Sequence, residues 1–515
     1  MSGEISDPRH LTRPPTFLTG FALLLLATLA VRLMLLVGGI RGSDAYAYAY
    51  TSWLMVTGAY DPLAIGGNYY AYRYGLLLPT AFMFSVFGPT DLAAMVFPLA
   101  ASLGTAALVG SLGRMLWDEH SGLIAMALWA TFPLAIVPAS MVSPDSFIPF
   151  YATLGVWAFL KAEQESAPTE RRLIWYIGSG LACGLAVLSR LTSVLILLVP
   201  LGLMLQKPRG MQCWLPFAAG VSIPLGLAGG YLAYTTGDPL FEIHQIAFLS
   251  RKYSEESGSG EFAYYFKAFL GLSKAGVAWY TGMPAVAAAG LWIGWSRRDR
   301  NVGLLAWWTI PILLALTFGS MSATEFIPIL KNYNYLSLVA VPMVLLAAYA
   351  IRAGLRSDGE RPHAVARTLT LAAAVLLLIS GPYGAYRIST NIKNDSAPYI
   401  AAAEALQGLP ADTLYLPRVR WPYILAYHLG YRQDAASYVS LDTVRSLADI
   451  SHGYVIVHDR YLHRDEAGLL LPPDRQAPAF LLHPPLDWKV VVSHMGYPAY
   501  NRMIVYRVGP LRERQ

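Results

Sequence analysis

The feature that most constrains this chain is a succession of apolar runs, each long enough to cross a ~30 Å hydrocarbon core at about 1.5 Å per residue. About eleven such runs occur in the 515 residues, near 17–39, 91–116, 121–140, 146–162, 173–188, 190–206, 213–235, 272–296, 302–320, 333–351 and 367–386. Inside a bilayer every backbone N–H and C=O must be satisfied within the protein, so runs of this length are expected to be helices. Composition agrees, because only 14% of the residues are charged, against about 25% in a soluble domain. The expected fold class is an all-α polytopic membrane protein with about eleven transmembrane helices. One further apolar stretch, 75–88, is too short to cross and reads as an interfacial or re-entrant helix.

Loop charges order these runs. Basic residues gather at Arg9 to Arg13, Arg114, Lys161 with Arg171 and Arg172, Lys207 with Arg209, Arg297 to Arg300, and Arg352 to Arg367. With eleven spans all of these fall on one side, which the positive-inside rule makes cytoplasmic. The N-terminus is then cytoplasmic, in an inner (plasma) membrane protein. The first run exceeds a signal-peptide core and is followed by more spans, so it reads as a retained helix. The net charge of +6 therefore reports topology before it reports nucleic acid. Cys183 and Cys213 both lie in or beside apolar runs, which excludes a disulfide framework, and no metal-ligand spacing is present.

The tail differs in kind. Short apolar runs at Thr413–Leu416, Gly453–Val457, Lys489–Val492 and Met503–Tyr506 flank a helical stretch near Pro422 to Leu429. This pattern predicts a small α/β domain with strands buried on both faces. The expected division is a transmembrane catalytic domain over 1–386 and an extracytoplasmic (periplasmic) α/β domain over 387–515.

Five loops on the outer side carry the groups capable of chemistry. Asp44 follows the first span, in Gly42-Ser43-Asp44-Ala45-Tyr46, where Ser43 or Asp44 could cap a helix. Tyr72-Arg73-Tyr74 closes the same loop. Ser143-Pro144-Asp145 opens one span, Ser189-Arg190 forms a tight turn between two others, and Lys331-Asn332-Tyr333-Asn334-Tyr335 opens another. Arg190 stands out, because a charge in so apolar a segment is costly and reads as functional. Asp145 could simply cap its helix, and Arg73 and Lys331 could anchor helices at lipid phosphates. Arg32, inside the first span, is expected to pair with Asp44 or else to snorkel, with pairing preferred. Glu242, His244 and Glu325 are expected to have ordinary loop roles. Two carboxylates and three cations at one membrane boundary, among many tyrosines, suit transfer of a sugar from a lipid phosphate. Fixed cations stabilise the anionic leaving group, a carboxylate serves as general base, and aromatic faces such as Tyr46, Tyr72 and Tyr74 offer platforms for sugar rings. No Walker A loop or Rossmann glycine fingerprint points to a soluble nucleotide donor.

The order of these pieces resembles the GT-C glycosyltransferases that use polyprenyl-phosphate sugars, nearest to the protein O-mannosyltransferases and the lipid A aminoarabinose transferases. Asp44 matches the acidic residue after the family's first span. Tyr72-Arg73-Tyr74-Gly75-Leu76 occupies the place of a Tyr-Lys-Pro-Pro-Leu-like segment. Ser143-Pro144-Asp145 matches an Arg-Pro-Asp-like segment, and Gly184-Leu-Ala-Val-Leu-Ser189-Arg190-Leu191 a Gly-Leu-Ala-x-Leu-Thr-Lys-Gly stretch. Asn334-Tyr335-Leu336, leading to Val341-Pro342, is similar to an Arg-Tyr-Leu-Leu-Pro-like segment. Departures include Ala45 where a second acidic residue is usual, the missing double proline, and Asn334 in place of Arg. No Trp-Trp-Asp sequence supports an oligosaccharyltransferase.

Together these readings predict an inverting glycosyltransferase that moves a monosaccharide from a polyprenyl-phosphate donor to a hydroxyl of a lipid, glycan or protein, with inversion implied by the resemblance. Asp44 is the expected base, Asp145 binds or orients the acceptor, and Arg73, Arg190, Lys331 and Tyr335 hold the carrier phosphate. No cofactor is certain. Two carboxylates could contact Mg²⁺ or Mn²⁺, but two ligands are too few for a site. The rival reading is a lipid-linked-sugar flippase or solute transporter, which would place polar groups near the bilayer midplane, often with repeat symmetry.

Overall fold

The computed structural model describes residues 15–64, 69–164, 169–206, 211–248, 262–321, 325–329, 331–356, 361–407, 409–410, 412–416, 421–431, 438–444, 446–458, 479–495 and 502–509. Among them, seven helices are long and apolar enough to cross a membrane, or eight with one bent pair counted as a span. This is a multi-pass membrane protein. The expected count of eleven is not reached by length and apolarity. Pro144–Gln164 carries Asp145, Lys161 and Glu163 at its ends, and Met283–Ser296 has only 14 residues. The apolar stretch Leu191–Leu205 is likewise short, beginning as a 3-10 turn before it becomes α-helical.

Small residues let the helices approach closely, as helices do in lipid. A Cβ on Gly180 would meet the Phe217 carbonyl oxygen at 2.1 Å, and one on Gly220 the Ile177 carbonyl oxygen at 2.3 Å, which locks Thr169–Ser189 against Met211–Thr236. The Ser337–Leu355 helix runs through the middle of the bundle, buried from Ser337 to Ile351.

The bent pair is Glu119–Thr131 and Pro133–Ser140, which meet at 74°. Pro133 supplies no N–H and so breaks the ladder. Arg32 takes up the carbonyls left over, donating to Ala130 O at 2.5 Å and Trp129 O at 3.1 Å, with Ser102 Oγ at 3.1 Å. The expected Arg32–Asp44 pair is therefore not formed, because a buried guanidinium finds nearer acceptors at the break.

Helix Tyr74–Phe87 is the short apolar helix anticipated, about 21 Å at 1.5 Å per residue. At the far end of the bundle a helix of 46 residues, Arg361–Leu406, leaves the apolar region and runs on to cover the sheet. The expected domain boundary at 386–387 falls inside this single rod.

The tail forms a mixed five-stranded sheet of order β2-β1-β3-β5-β4, from β1 (Leu414–Leu416), β2 (Tyr438–Ser440), β3 (Gly453–His458), β4 (Lys489–Met495) and β5 (Arg502–Val508). β1 pairs parallel with β2 and β3, and β5 antiparallel with β3 and β4. Tyr454 and Ile456 face Ala402, Ala403, Leu406 and Leu425 on one side, while Val455 and Val457 face Leu441, Ile450 and Trp488 on the other. β1 and β3 are buried throughout, as the sequence predicts. β4 is not, because it lies at the sheet edge and alternates towards water.

Candidate active site

The site begins with a close approach. A Cβ on Gly75 would lie 2.3 Å from Ser189 Oγ and 2.5 Å from the Leu185 carbonyl oxygen. The bare backbone of Gly75 therefore seats the start of helix Tyr74–Phe87 on the end of helix Thr169–Ser189. Tyr151, from the Asp145 helix, donates to the Gly75 carbonyl at 3.2 Å. Three segments converge there, and the residues at their ends are Arg73, Arg190 and Asp145.

Asp145 is the hub and is almost fully buried, at 4% exposure. Oδ1 accepts from Arg190 Nη2 at 2.8 Å and from Ser337 Oγ at 3.4 Å. Oδ2 accepts from Ser143 Oγ and from Asn334 Nδ2, both at 2.9 Å. Ser143 Oγ also accepts from Asp145 N at 3.3 Å, so Ser143 caps this helix and Asp145 sits in its first turn. Four donors occupy the carboxylate, and it cannot ligate a cation without giving up these bonds. Among the described residues no cluster of three or more potential metal ligands comes together.

Arg190 breaks the apolar run between Ser189 and Leu191 in extended backbone, φ −165°. Its guanidinium lies 4.5 Å from the centroid of the Tyr335 ring, a cation–π contact, and the group is 5% exposed. Tyr335 is carried on a 3-10 turn, Tyr333–Leu336. That turn is fastened by Tyr280 OH donating to the Tyr333 carbonyl at 2.7 Å, with Ser273 Oγ 2.6 Å from Tyr333 OH.

Arg73 faces the same space. It hydrogen-bonds to Tyr48 OH, and its guanidinium lies 5.3 Å from the Tyr48 ring centroid and 6.0 Å from that of Tyr70. Burial and the like charge of Arg190 bring Arg73 down to about 10, against the opposing pull of Tyr335, Asp44 and Asp145. It remains a cation at neutral pH, within electrostatic reach of all four. Asp44 is exposed and accepts from Tyr70 OH at 2.8 Å. Gly42, at φ 81°, occupies the N-cap position of helix Ser43–Thr57, so Ser43 and Asp44 lie inside the helix, past the expected cap position. The Asp44 charge lies in the first turn, where the helix dipole favours it.

The remaining expected residues separate. Lys331 is buried and sits 5.3 Å from the Phe262 ring centroid. Tyr46 OH bonds His428 Nε2 at 2.8 Å, on the tail's helix Trp421–His428. Tyr72 donates to the Pro62 carbonyl at 3.1 Å, and Tyr74 OH lies 3.1 Å from Tyr60 OH. These three tyrosines are tied into the frame around the site by their hydroxyl bonds. Residues two apart on a helix point about 200° apart, so Tyr48 faces Arg73 while Tyr46, Tyr50 and Trp53 face the tail, where Trp53 stacks on Tyr431 with 12° between planes.

The family described as dolichyl-phosphate-mannose-protein mannosyltransferase matches residues 77–227. No curated protein matches the chain. Among solved structures, ArnT from Cupriavidus metallidurans in the apo state is similar, with a TM-score of 0.60 and 16% identity over 96% of this chain and 99% of that one. ArnT bound to undecaprenyl phosphate gives 0.63 and 16% over 97% and 100%. The oligosaccharyltransferase of Archaeoglobus fulgidus tethered to an acceptor peptide gives 0.56 and 12% over 87% and 70%. The chain has the GT-C fold.

Within this GT-C fold, four functional candidates escaped the sequence reading. Tyr48 and Tyr70 lie in tyrosine-rich stretches whose members could not be told apart without the helix phase. Asn334 stood out only as a departure from Arg. Glu242 was assigned a loop role, yet burial pushes its carboxyl up to about 8, against the pull of Arg73. Phe241 beside it packs edge-on to Tyr72, with centroids 5.7 Å apart. At neutral pH Glu242 is mostly protonated and adds little negative charge near Arg73.

Proposed function

We propose that this protein is a polyprenyl-phosphate-dependent glycosyltransferase that moves a monosaccharide to a hydroxyl of a lipid, glycan or protein. The observation that carries the reading is the convergence of Arg73 and Arg190 beside Asp145, with the exposed carboxylate of Asp44 in electrostatic reach. The guanidiniums hold oxygens of the carrier phosphate, Tyr335 braces Arg190, and Lys331 adds positive charge on the same segment. Asp44 takes the proton of the attacking hydroxyl. The hydroxyl oxygen bonds to the anomeric carbon from the face opposite the phosphate, and the bond from that carbon to phosphate oxygen breaks with inversion. Polyprenyl phosphate leaves with the electron pair, its charge met by Arg73 and Arg190, a contribution commonly worth about 2.7–4 kcal/mol per donor. Asp145 acts through Arg190 and Asn334, as a positioning residue.

ArnT, similar in fold along its whole length, has been crystallised with undecaprenyl phosphate, which supports a polyprenyl-phosphate partner here. Loop charges support an inner-membrane protein with a cytoplasmic N-terminus, an active site at the periplasmic face, and the tail on that same side.

The test is reconstitution in liposomes with radiolabelled polyprenyl-phosphate sugars and a cell-envelope extract as acceptor source. Label should pass to an acceptor with the wild-type protein, and Arg190→Ala should weaken carrier binding. Translocation of the labelled carrier across the bilayer without transfer would establish a flippase instead.

A further inference from the structure

Two polar atoms at the hub are buried without a hydrogen-bond partner among the described residues: Asn334 Oδ1 and Arg190 Nε. Both belong to side chains held by Asp145 through their other ends, Asn334 by Nδ2 and Arg190 by Nη2. The direction of the Asn334 amide is settled by chemistry. An ionised carboxylate only accepts, so the NH₂ end must face Asp145 and the carbonyl end must face away. The hydroxyls of Thr192 and Ser193, which follow Arg190 in the chain, do not serve Oδ1, since each is itself buried without a partner. Buried amide oxygens are rarely left without a donor, and a binding site is where a ligand can supply one.

The missing partner must donate. A phosphate oxygen cannot do so when ionised, whereas Arg190 Nε–H matches one. An ammonium could donate, but a buried neutral amide oxygen offers little to offset the cost of stripping water from a full charge. A neutral hydroxyl meets neither objection. We propose that Asn334 Oδ1 accepts a hydrogen bond from a hydroxyl of the transferred sugar while Arg190 Nε donates to the carrier phosphate. Asp145 thereby sets the spacing between a sugar-reading atom and a phosphate-reading atom. This assignment rests on the sugar-transfer reading and adds to it a substrate class: a sugar with a neutral hydroxyl, in place of an amino group, at the position Asn334 reads.

Equilibrium binding to the full-length protein in nanodiscs tests it. The probes are undecaprenyl phosphate, the same carrier bearing mannose, glucose or galactose, and the monodeoxy and aminodeoxy analogues of whichever binds best. The expected result is that one deoxygenation weakens binding to the wild-type protein by about tenfold to a hundredfold, with the amino analogue at that position no better. Asn334→Ala should weaken the parent sugar by a similar factor beyond whatever it loses for bare undecaprenyl phosphate, measured alongside, and should be indifferent to that deoxygenation. The ligand series on unaltered protein decides the matter even where the variant fails to fold. Indifference of the wild-type protein to every deoxygenation, or an Asn334→Ala variant that still discriminates, overturns the assignment to Asn334 alone. Failure of the wild-type protein to bind undecaprenyl phosphate overturns the sugar-transfer reading itself.

Discussion

The two carboxylates at the centre of this site live in opposite circumstances. Asp145 is buried, and both oxygens are committed to donors from three segments of chain. Asp44 is exposed, in the first turn of its helix, with Tyr70 OH on one oxygen. A group that must collect and release a proton each turnover has to meet solvent and acceptor. A group that must hold cations at a fixed spacing has to be shut away from both. In the proposed mechanism the environments, more than the residue type, divide the roles.

The division is broken most directly at Asp44. Asp44→Asn should lower turnover by about 10²–10⁴-fold, with carrier affinity and melting temperature near wild type in a transfer assay run beside calorimetry. A matching loss of stability would mean that Asp44 is structural as well. Asp145→Ala should show the converse pattern. It strips the partner from a buried guanidinium, which costs about 3–5 kcal/mol, so the melting temperature and carrier affinity should fall together. Gly75→Ala comes next, placing a methyl against Ser189 and Leu185 at a cost of about 1–3 kcal/mol. Partial rescue by Ser189→Gly would trace the loss to the contact that seats Arg73 beside Arg190.

The smallest effect is a pH dependence. Glu242, pushed up to about 8, is mostly neutral at pH 7 and gains charge above that value. A new negative charge near Arg73 opposes the phosphate, so carrier affinity should decline as pH rises through about 8. Glu242→Gln should bind like wild type at pH 7 and lose that decline. A decline that persists in the variant would place the titrating group elsewhere.

Much of this was legible in the sequence because lipid leaves few options. The apolar runs announced helices, the short one at 75–88 included, and the buried strands Leu414–Leu416 and Gly453–His458 were plain as unbroken apolar runs. Asp44, Arg73, Asp145, Arg190 and Tyr335 could be picked out as polar groups at one boundary. Their partners could not. Whether a tyrosine of the 46–50 stretch faces Arg73 or the tail depends on helix phase, which alternation every second residue hides. Arg32 was drawn to carbonyls freed by a break at Pro133, about a hundred residues away in sequence. Asp145 looked available because its four donors come from three separate segments.

The tail also bears on how the protein can be dissected. Ser396 Oγ accepts from Gly42 N at 3.3 Å, and Tyr427 OH donates to Asp91 at 2.5 Å, whose other partner is Ile40 N at 3.1 Å. The backbone just ahead of Asp44 is thus moored to residues some 350 positions later. Removing everything after 387 would unmoor the stretch that carries Asp44, the proposed base, and would bare Tyr46, Tyr50 and Trp53 to water. Trimmed versions made for crystallisation or drug screening should therefore retain the tail, or they will report on a protein whose Asp44 has lost its mount.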